Sequence, residues 1–371
     1  MNISIDTSFS MKTTSHPSQH ITPEHVQLVQ GHAWEAEQLK QLHSTQLALI
    51  QEQKWFQLFV PRLYNGLELA LPEALQLEEA LAWTDGSVGW TVTLCSGAGW
   101  FIGFLEPELI SAVFNNEKVC LAGSGKSSGI AKIIDEGYEV TGSWDYATGS
   151  HHATAFTANC MIEEKGVFLL NDDGTELVQP FLFFREEVTL HENWNSMGMI
   201  ATGSHSFEVK KTVVNKNRSF RIDPRYASLP FPIYQYPFLQ FAETTLAVNS
   251  SGMAVRFLDL CEIWFKQGVS NTKQLKLENA RKQIDEARLL FYNVVKNSWE
   301  ECLNSKFIQP ALLDNITIVS RKLALTARQM LNELYPCCGL KATNLDTEIN
   351  RIWRNLQTAG QHSLLNGCNN A

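Results

Sequence analysis

Residues 120–152, CLAGSGKSSGIAKIIDEGYEVTGSWDYATGSHH, decide how the chain folds. The Gly123-Ser124-Gly125-Lys126-Ser127 core looks like a phosphate-binding loop. Such a loop needs a Gly, four residues, then Gly-Lys-Ser/Thr, set between a strand and a helix. Counting back from Gly125-Lys126-Ser127 puts Cys120 where the first glycine belongs. The residues after Ser128 have no helical pattern either: GIAKIID and YEVTGSW read as two strands joined by a turn at Asp135-Glu136-Gly137. The stretch is therefore a Gly-rich loop entering a β unit, with Lys126 facing solvent. Backbone N–H groups of Gly123, Ser124, Gly125 and Ser128 are then free to meet a flat polar ligand.

The texture changes on either side of this hairpin. Before it, from about Thr22 to Asn116, the pattern is helical. TPEHVQLV supplies a cap at Thr22 and a proline at the first helical position. LPEALQLEEALAWTD reads as another helix, and SVGWTVTLCSGAGWFIGFL as an apolar, buried one. From about Glu117 to Val214, short β-type runs alternate with turns. After the Pro-rich connector DPRYASLPFPIYQYP, helices return, with the 3-and-4 rhythms Leu246/Met253/Phe257/Leu260/Trp264, Ile284/Ala287/Phe291/Val294/Ser298 and Ile316/Val319/Leu323/Ala327/Met330/Leu334. Long amphipathic helices in succession indicate a bundle.

A chain of 371 residues exceeds one hydrophobic core, so two or three units are expected. The expected division is a disordered Ser/Thr-rich tail over 1–21, an N-terminal helical domain over 22–116, a middle β domain over 117–225 and a helical bundle over 226–371. The apolar fraction of 44% and charged fraction of 19% are those of an ordinary soluble globular protein. A net charge of −9 without a Lys/Arg stripe argues against a nucleic-acid partner. No apolar run approaches the roughly 18 residues that span a bilayer, and the opening residues lack the features of a secretory signal. The eight cysteines form no CxxC pair and no metal spacing with histidine, so reduced thiols in the cytoplasm are expected. His151 and His152 diverge if their backbone is extended, and no metal site is expected.

Four stretches, taken in order, resemble the acyl-CoA dehydrogenase-like flavoproteins, nearest the two-component flavin monooxygenases. They are FVPRLYNGLELALPEALQLEEALAWTDGSVGW, the Gly-rich hairpin at 121–153, WNSMGMIATGSHSFEVKKTVV and INRIWRNLQTAGQH. The resemblance covers roughly residues 22–366. It implies an α+β fold in which an N-terminal helical domain, a β-barrel-like domain and a C-terminal four-helix bundle hold a flavin, FMN or FAD. It also implies association as dimers or dimers of dimers.

A flavin ring needs a flat slot, an aromatic or apolar wall and hydrogen bonds to its polar edge. SWDYATGS offers aromatic surface at Trp144 and Tyr146 and hydroxyls at Thr148 and Ser150, although a tight β-turn over a packed aromatic would use the same residues. By the resemblance, Thr148 stands where a hydroxyl or amide donates to flavin N5 and O4 and Trp144 lies near the ring, with Ser124 bordering the cofactor. Thr202 and Ser204, in TGSHS, line its outer edge, unless that segment is a plain hairpin turn. Trp194, Met197 and Met199 are pocket wall or core.

On the last helix, Arg351, Asn355, Thr358 and His362 share one stripe at spacings of 4, 3 and 4. The stripe holds no Lys or Glu and ends in His, an odd composition for a solvated face. In the monooxygenase branch the matching His points at flavin and substrate, which implies acid–base work for His362. No Glu follows Glu348, so the late Glu that serves as base in the dehydrogenase branch is missing. Two departures stand beside this. The helix after DGSVGW carries Cys95 and Ser96 but no His, and Asn355 replaces a carboxylate. Cys95 reads as a small buried residue.

The resulting expectation is a cytoplasmic flavin-dependent oxidoreductase. It would use reduced flavin from a separate reductase, with O2, on an aromatic or similar small substrate. The alternatives are an acyl-CoA dehydrogenase with a displaced base such as Glu243, and a non-catalytic flavin-fold binding protein.

Overall fold

The computed structural model describes residues 13–265, 271–305 and 307–366. Among them, helices come first: α1 (Pro23–Gly31), α2 (Ala33–Leu39), α3 (Ser44–Glu52), α4 (Leu71–Thr84), α5 (Gly86–Gly99) and α6 (Pro107–Phe114). Strands β1 (Leu121–Ile134), β2 (Gly137–Ala147), β3 (Ala155–Glu164), β4 (Val167–Phe168), β5 (Val178–Phe184), β6 (Thr189–His191) and β7 (His205–Asn215) come next. Helices α7 (Phe238–Phe265), α8 (Asn271–Ser305), α9 (Pro310–Leu334) and α10 (Glu348–Ala359) close the order. By compactness the chain forms two units. One joins the segment up to Val26, Leu71–Gly86 and the chain from Leu239; the other joins Gln27–Ala70 and Ser87–Phe238. The helices ahead of the sheet are shared between the two units.

In the sheet-bearing unit the strand order is β4-β3-β1-β2-β7-β6, and β5 pairs with β3. The expected hairpin is present, with β1 and β2 antiparallel from Ile134↔Gly137 to Gly129↔Gly142. The Gly-rich stretch is not a loop, however. It lies inside β1, which runs parallel to β3 with a register shift between Ser124 and Gly129. The glycines there serve a bulge rather than a cradle. Gly129 and Gly142 also leave room for Trp144. A Cβ at Gly129 would stand 2.2 Å from the indole, and one at Gly142 would stand 2.6 Å from it. Trp144 is 0% exposed, stacks on Phe207 at 5.1 Å and donates its indole N–H to Asn159 O at 3.0 Å. Phe156, Phe181 and Phe183 complete this aromatic core.

In the helical unit, α8 and α9 bury the residues that the 3-and-4 rhythm picks out, Ile284 to Ser298 and Ile316 to Leu334. α7 meets α4 at backbone contact, because a Cβ at Gly252 would stand 2.2 Å from Glu79 O. Glu79 is buried there and accepts from Arg288 Nε at 2.8 Å, Arg288 Nη2 at 2.9 Å, Tyr292 Oη at 2.8 Å and the Ser251 hydroxyl. Arg288 also donates to Thr14 Oγ1 at 3.0 Å and Ser15 O at 2.8 Å. The expected tail over 1–21 is therefore corrected for residues 13–21, residues 1–12 lying outside the described ones. Pro17–His20 forms a 3-10 turn, and the His16 ring packs edge-on to Trp83 at 5.5 Å. A buried guanidinium fixes this segment by supplying donors that its polar atoms can meet.

Removing one partner of a buried, hydrogen-bonded ion pair leaves the other charge stranded. Arg288→Met is expected to cost about 3–5 kcal/mol in urea unfolding. The Glu79→Gln/Arg288→Met double variant should recover part of that loss, and a single-variant loss under about 1 kcal/mol would contradict this account of the pair.

Candidate functional site

The strand end after Trp144 carries the candidate residues, and its path is set by the buried indole and by Gly149. At φ +74°, Gly149 sits where a Cβ would stand 2.7 Å from Cys95 Sγ and 3.4 Å from Thr91 Cγ2 of α5. Its N–H donates to Thr202 O at 2.9 Å, and the Cys95 thiol points at Thr148 O at 3.6 Å. Cys95 is thus the small buried residue that the sequence suggested. Ser96, a possible substitute donor for the missing His, gives its hydroxyl to Thr93 O at 3.2 Å within its own helix.

Four of the predicted hydroxyl residues come together and are buried. Thr148 Oγ1 lies 2.9 Å from Ser204 Oγ, which lies 2.7 Å from Thr202 Oγ1. Thr202 donates to Met199 O at 2.8 Å, and Ser150 donates to Gly203 O at 2.8 Å. Each hydroxyl has one proton, which fixes the order of donation. Thr202 spends its proton on Met199 O, Ser204 donates to Thr202, and Thr148 donates to Ser204. With all of these contacts made at once, Thr148 Oγ1 retains acceptor capacity and its proton is committed to Ser204, which corrects its expected role as a donor.

Two predicted residues stand elsewhere in this unit. Ser124 is half-buried on β1 and accepts from Lys126 N at 3.5 Å. Trp144, expected beside the cofactor, is corrected to a core residue, since its faces are enclosed by Phe207 and the two glycines. The aromatic surface at this strand end belongs instead to Tyr146, 62% exposed, whose ring meets Trp194 edge-on at 6.1 Å. Trp194 is half-buried and donates its indole N–H to Met199 O at 3.0 Å.

Lys126 is exposed, as expected, and pairs with Asp145 at 2.9 Å. Asp145 also accepts from Ser206 at 2.8 Å, and the Lys126 contact, then the Ser206 bond, holds its carboxyl below the ordinary range. Sequence reasoning passed over Asp145. Its only signal is a carboxylate between two aromatics on a strand that otherwise carries hydroxyls.

Histidines gather around the same turn. His151 and His205 meet edge-on at 4.8 Å, and His205 Nδ1 accepts from Trp194 N at 3.0 Å, which leaves the neutral ring's proton on Nε2. Burial, then the neighbouring His151, lowers the His205 pKa. His152 is brought down to about 4, by burial first and then by His151. Elsewhere in this unit, His32 and Glu35 of the α2 region and His43 lie close enough for their ligand atoms to share an ion. His43 Nδ1 accepts the N–H of Thr45 at 3.2 Å, so the neutral ring carries its proton on Nε2, facing Glu35 at 3.4 Å. His43 thus caps α3 through Nδ1 and meets Glu35 through Nε2.

In the helical unit, the polar stripe of α10 faces inward. Arg351 Nε lies 3.5 Å from Asp85 Oδ2, both buried, and fully buried Asn355 packs on bare Gly86, where a Cβ would stand 3.0 Å from Asn355 Nδ2. The expected helix position of His362 is corrected: α10 ends at Ala359, and His362 lies in the turn beyond it, with its N–H on Ala359 O at 3.1 Å. Its Nδ1 accepts from Leu364 N at 3.3 Å, and burial lowers its pKa. Glu243, the candidate displaced base, is fully buried and tied to Arg321 at 2.9 Å and 3.0 Å and to Thr317. A carboxylate so committed is a structural anion.

The fold is acyl-CoA dehydrogenase-like. Residues 266–367 match the family model for the acyl-CoA dehydrogenase C-terminal domain. Among relatives, an indole-3-acetate monooxygenase of Pseudomonas putida is 23% identical over 321 residues, 84% of this chain and 80% of that protein. The flavin-dependent monooxygenase oxygenase subunit HsaA of Rhodococcus jostii is 24% identical over 230 residues, 60% of this chain and 58% of that one. XiaF from Streptomyces, solved with FADH2 and glycerol, superposes with a TM-score of 0.85 at 20% identity, covering 94% of this chain and 91% of the other. No helix among the described residues is long and apolar enough to cross a membrane.

The unfolded chain binds protons more tightly than a folded His152. Stability is therefore expected to fall by about 2 kcal/mol, allowing for partial exposure, as pH drops from 6.5 to about 4. Unfolding free energies of wild type and His152→Gln across that window check this: the variant's profile should be flatter, and an identical slope would remove His152 as a source.

Proposed function

We propose that the chain is the oxygenase component of a two-component flavin-dependent monooxygenase, acting with O2 on an aromatic or similar small substrate. Its fold and the names of its relatives support this reading, but one observation carries it: the direction of the buried hydroxyl relay. A reduced isoalloxazine carries hydrogen on N5, whereas an oxidised one presents a lone pair there. Thr148, with acceptor capacity and no spare proton, is matched to the reduced form. When bound, such a group supplies the electrons that activate O2.

The protein's own residues hold and orient. Thr148 would accept the N–H of a reduced flavin, with Ser204 and Thr202 fixing that hydroxyl and Ser150 bracing the turn through Gly203 O. Ser124 borders the cofactor from β1, and Tyr146 supplies aromatic surface in place of Trp144. His362 is the acid–base residue. Its lowered pKa keeps the ring neutral near pH 7 and able to take a proton, and its Nδ1 is held by Leu364 N. The reading extends to FMN or FAD as the flavin, a separate reductase that supplies it reduced, and a cytoplasmic homotetramer or homodimer. It also extends to the division into N-terminal helices, β barrel and four-helix bundle. The displaced-base dehydrogenase loses its candidate, because Glu243 is held by Arg321 and Thr317.

Thr148→Val is expected to weaken binding of reduced flavin by about 5- to 10-fold, the worth of one net hydrogen bond, and of oxidised flavin less. Anaerobic titration of both redox forms measures the ratio, and equal losses would overturn the relay argument. His362→Ala should lower substrate turnover by about 10²- to 10⁴-fold with reduced-flavin affinity nearly unchanged. Undiminished turnover would take His362 out of the mechanism.

A further inference from the structure

The helical unit contains a second cluster of reactive side chains that the oxygenase reading does not use. Cys261 of α7 and Cys338 of the 3-10 turn Tyr335–Cys338 are both buried, with sulfurs 3.8 Å apart. We propose that these two thiols form a peroxide-oxidisable pair that closes into a disulfide. The proposal is independent of the flavin reading.

Two sulfurs in van der Waals contact need only side-chain rotation and a small turn movement to reach the bonded distance of about 2.05 Å. One partner sits on a long buried helix. The other sits on a short 3-10 turn that ends at Gly339, φ +75°, ahead of a second turn, Leu340–Thr343. Short turns between helices yield more readily than helix interiors. The adjacent Cys337 and Cys338 each point a thiol back at the carbonyl four residues earlier, Glu333 O at 4.0 Å and Leu334 O at 3.7 Å, and of the two it is Cys338 that lies beside Cys261.

The pair is also chemically asymmetric. The Cys261 thiol donates to Cys338, and with the Lys273 charge it pulls the Cys338 thiol below its ordinary value. Lys273 is anchored there by donating to Cys337 O at 2.6 Å. Cys261 is pushed up, by its contact with Cys338 first and then by burial. Cys338 is therefore the attacking thiolate and Cys261 the resolving thiol. By contrast Cys120, beside Cys95 in the other unit, is raised by that contact and by burial, with no cation among the causes.

The step balances with hydrogen peroxide as oxidant. Cys338 thiolate attacks one peroxide oxygen, the O–O bond breaks, and a sulfenic acid and hydroxide form. Hydroxide takes the Cys261 proton to give water. Cys261 sulfur then attacks Cys338 sulfur, and the sulfenic oxygen leaves as hydroxide, which becomes water on taking up the proton that Cys338 first lost. Two thiols are oxidised by two electrons, one peroxide is reduced, and two waters result. The bond would tie to α7 the turn on which α10 rests, since Tyr335 stacks on Trp353 at 4.9 Å and accepts from Asn350 Nδ2 at 2.8 Å.

The test uses the full chain, reduced and freed of flavin, treated with hydrogen peroxide without denaturant, then alkylated and mapped by mass spectrometry. Loss of two alkylatable thiols with a Cys261–Cys338 linked peptide is expected. The link should persist in Cys337→Ser and vanish in Cys338→Ser. In Cys261→Ser, Cys338 should instead stop at a sulfenic acid that dimedone traps. A Cys337–Cys338 link, a sulfinic acid on wild-type Cys338, or retention of all thiols would overturn the proposal. Because no flavin takes part, each of those outcomes leaves the oxygenase reading untouched.

Discussion

The seating of one indole under two glycines governs the sheet-bearing unit. Trp144 fills the space that Gly129 and Gly142 leave on the paired strands β1 and β2, and its N–H is satisfied by Asn159 of β3. Four strands are thereby registered against one rigid side chain, including β7 through the stack on Phe207. The residues after Trp144 leave the sheet at a fixed place, and Gly149, pressed on α5, fixes their direction. The hydroxyl relay is precise because the elements carrying it are locked from behind, which is what a site on a strand end requires.

Charge is handled differently in the helical unit. Glu79 with Arg288 and Asp85 with Arg351 are placed carboxylate against guanidinium in the interior, and buried Glu243 is paired with half-buried Arg321. Such pairs are expensive to desolvate, and they contribute geometry more than net stability. Their chemical consequence is restraint: each of these carboxylates is already engaged by a guanidinium. Groups for proton transfer are to be found outside these pairs.

Much of this was legible in the sequence, for identifiable reasons. The hairpin at 129–142 is marked by alternating residues around an Asp-Glu-Gly turn, and the faces of α8 and α9 are marked by periodicity, because both depend on local pattern. The Gly-rich stretch misled because glycine signals loop and bulge alike, and only pairing with β3 decides between them. Trp144 misled for a related reason. An aromatic beside hydroxyls suits a ligand wall, and its burial depends on glycines at 129 and 142 that sequence alone does not set against it. The hydroxyls Thr148, Ser150, Thr202 and Ser204 were found from two separate segments, but the direction of their hydrogen bonds required Met199 O, which no motif marks. Order in residues 13–21 was hidden because its partner, Arg288, is more than 250 positions away.

That distance bears on how the protein is made. Thr14 meets Arg288 across a sequence separation of 274 residues, and Glu79 meets it across 209. The sheet-bearing unit is complete in the nascent chain once Phe238 has been synthesised. The helical unit, in contrast, draws on the start, the middle and the end of the polypeptide, and its first segment must wait for its last helices. Contacts of such long range form late and slowly. On the ribosome, α4 is therefore made long before Ser251 of α7 and Arg288 of α8, the residues that meet its Glu79.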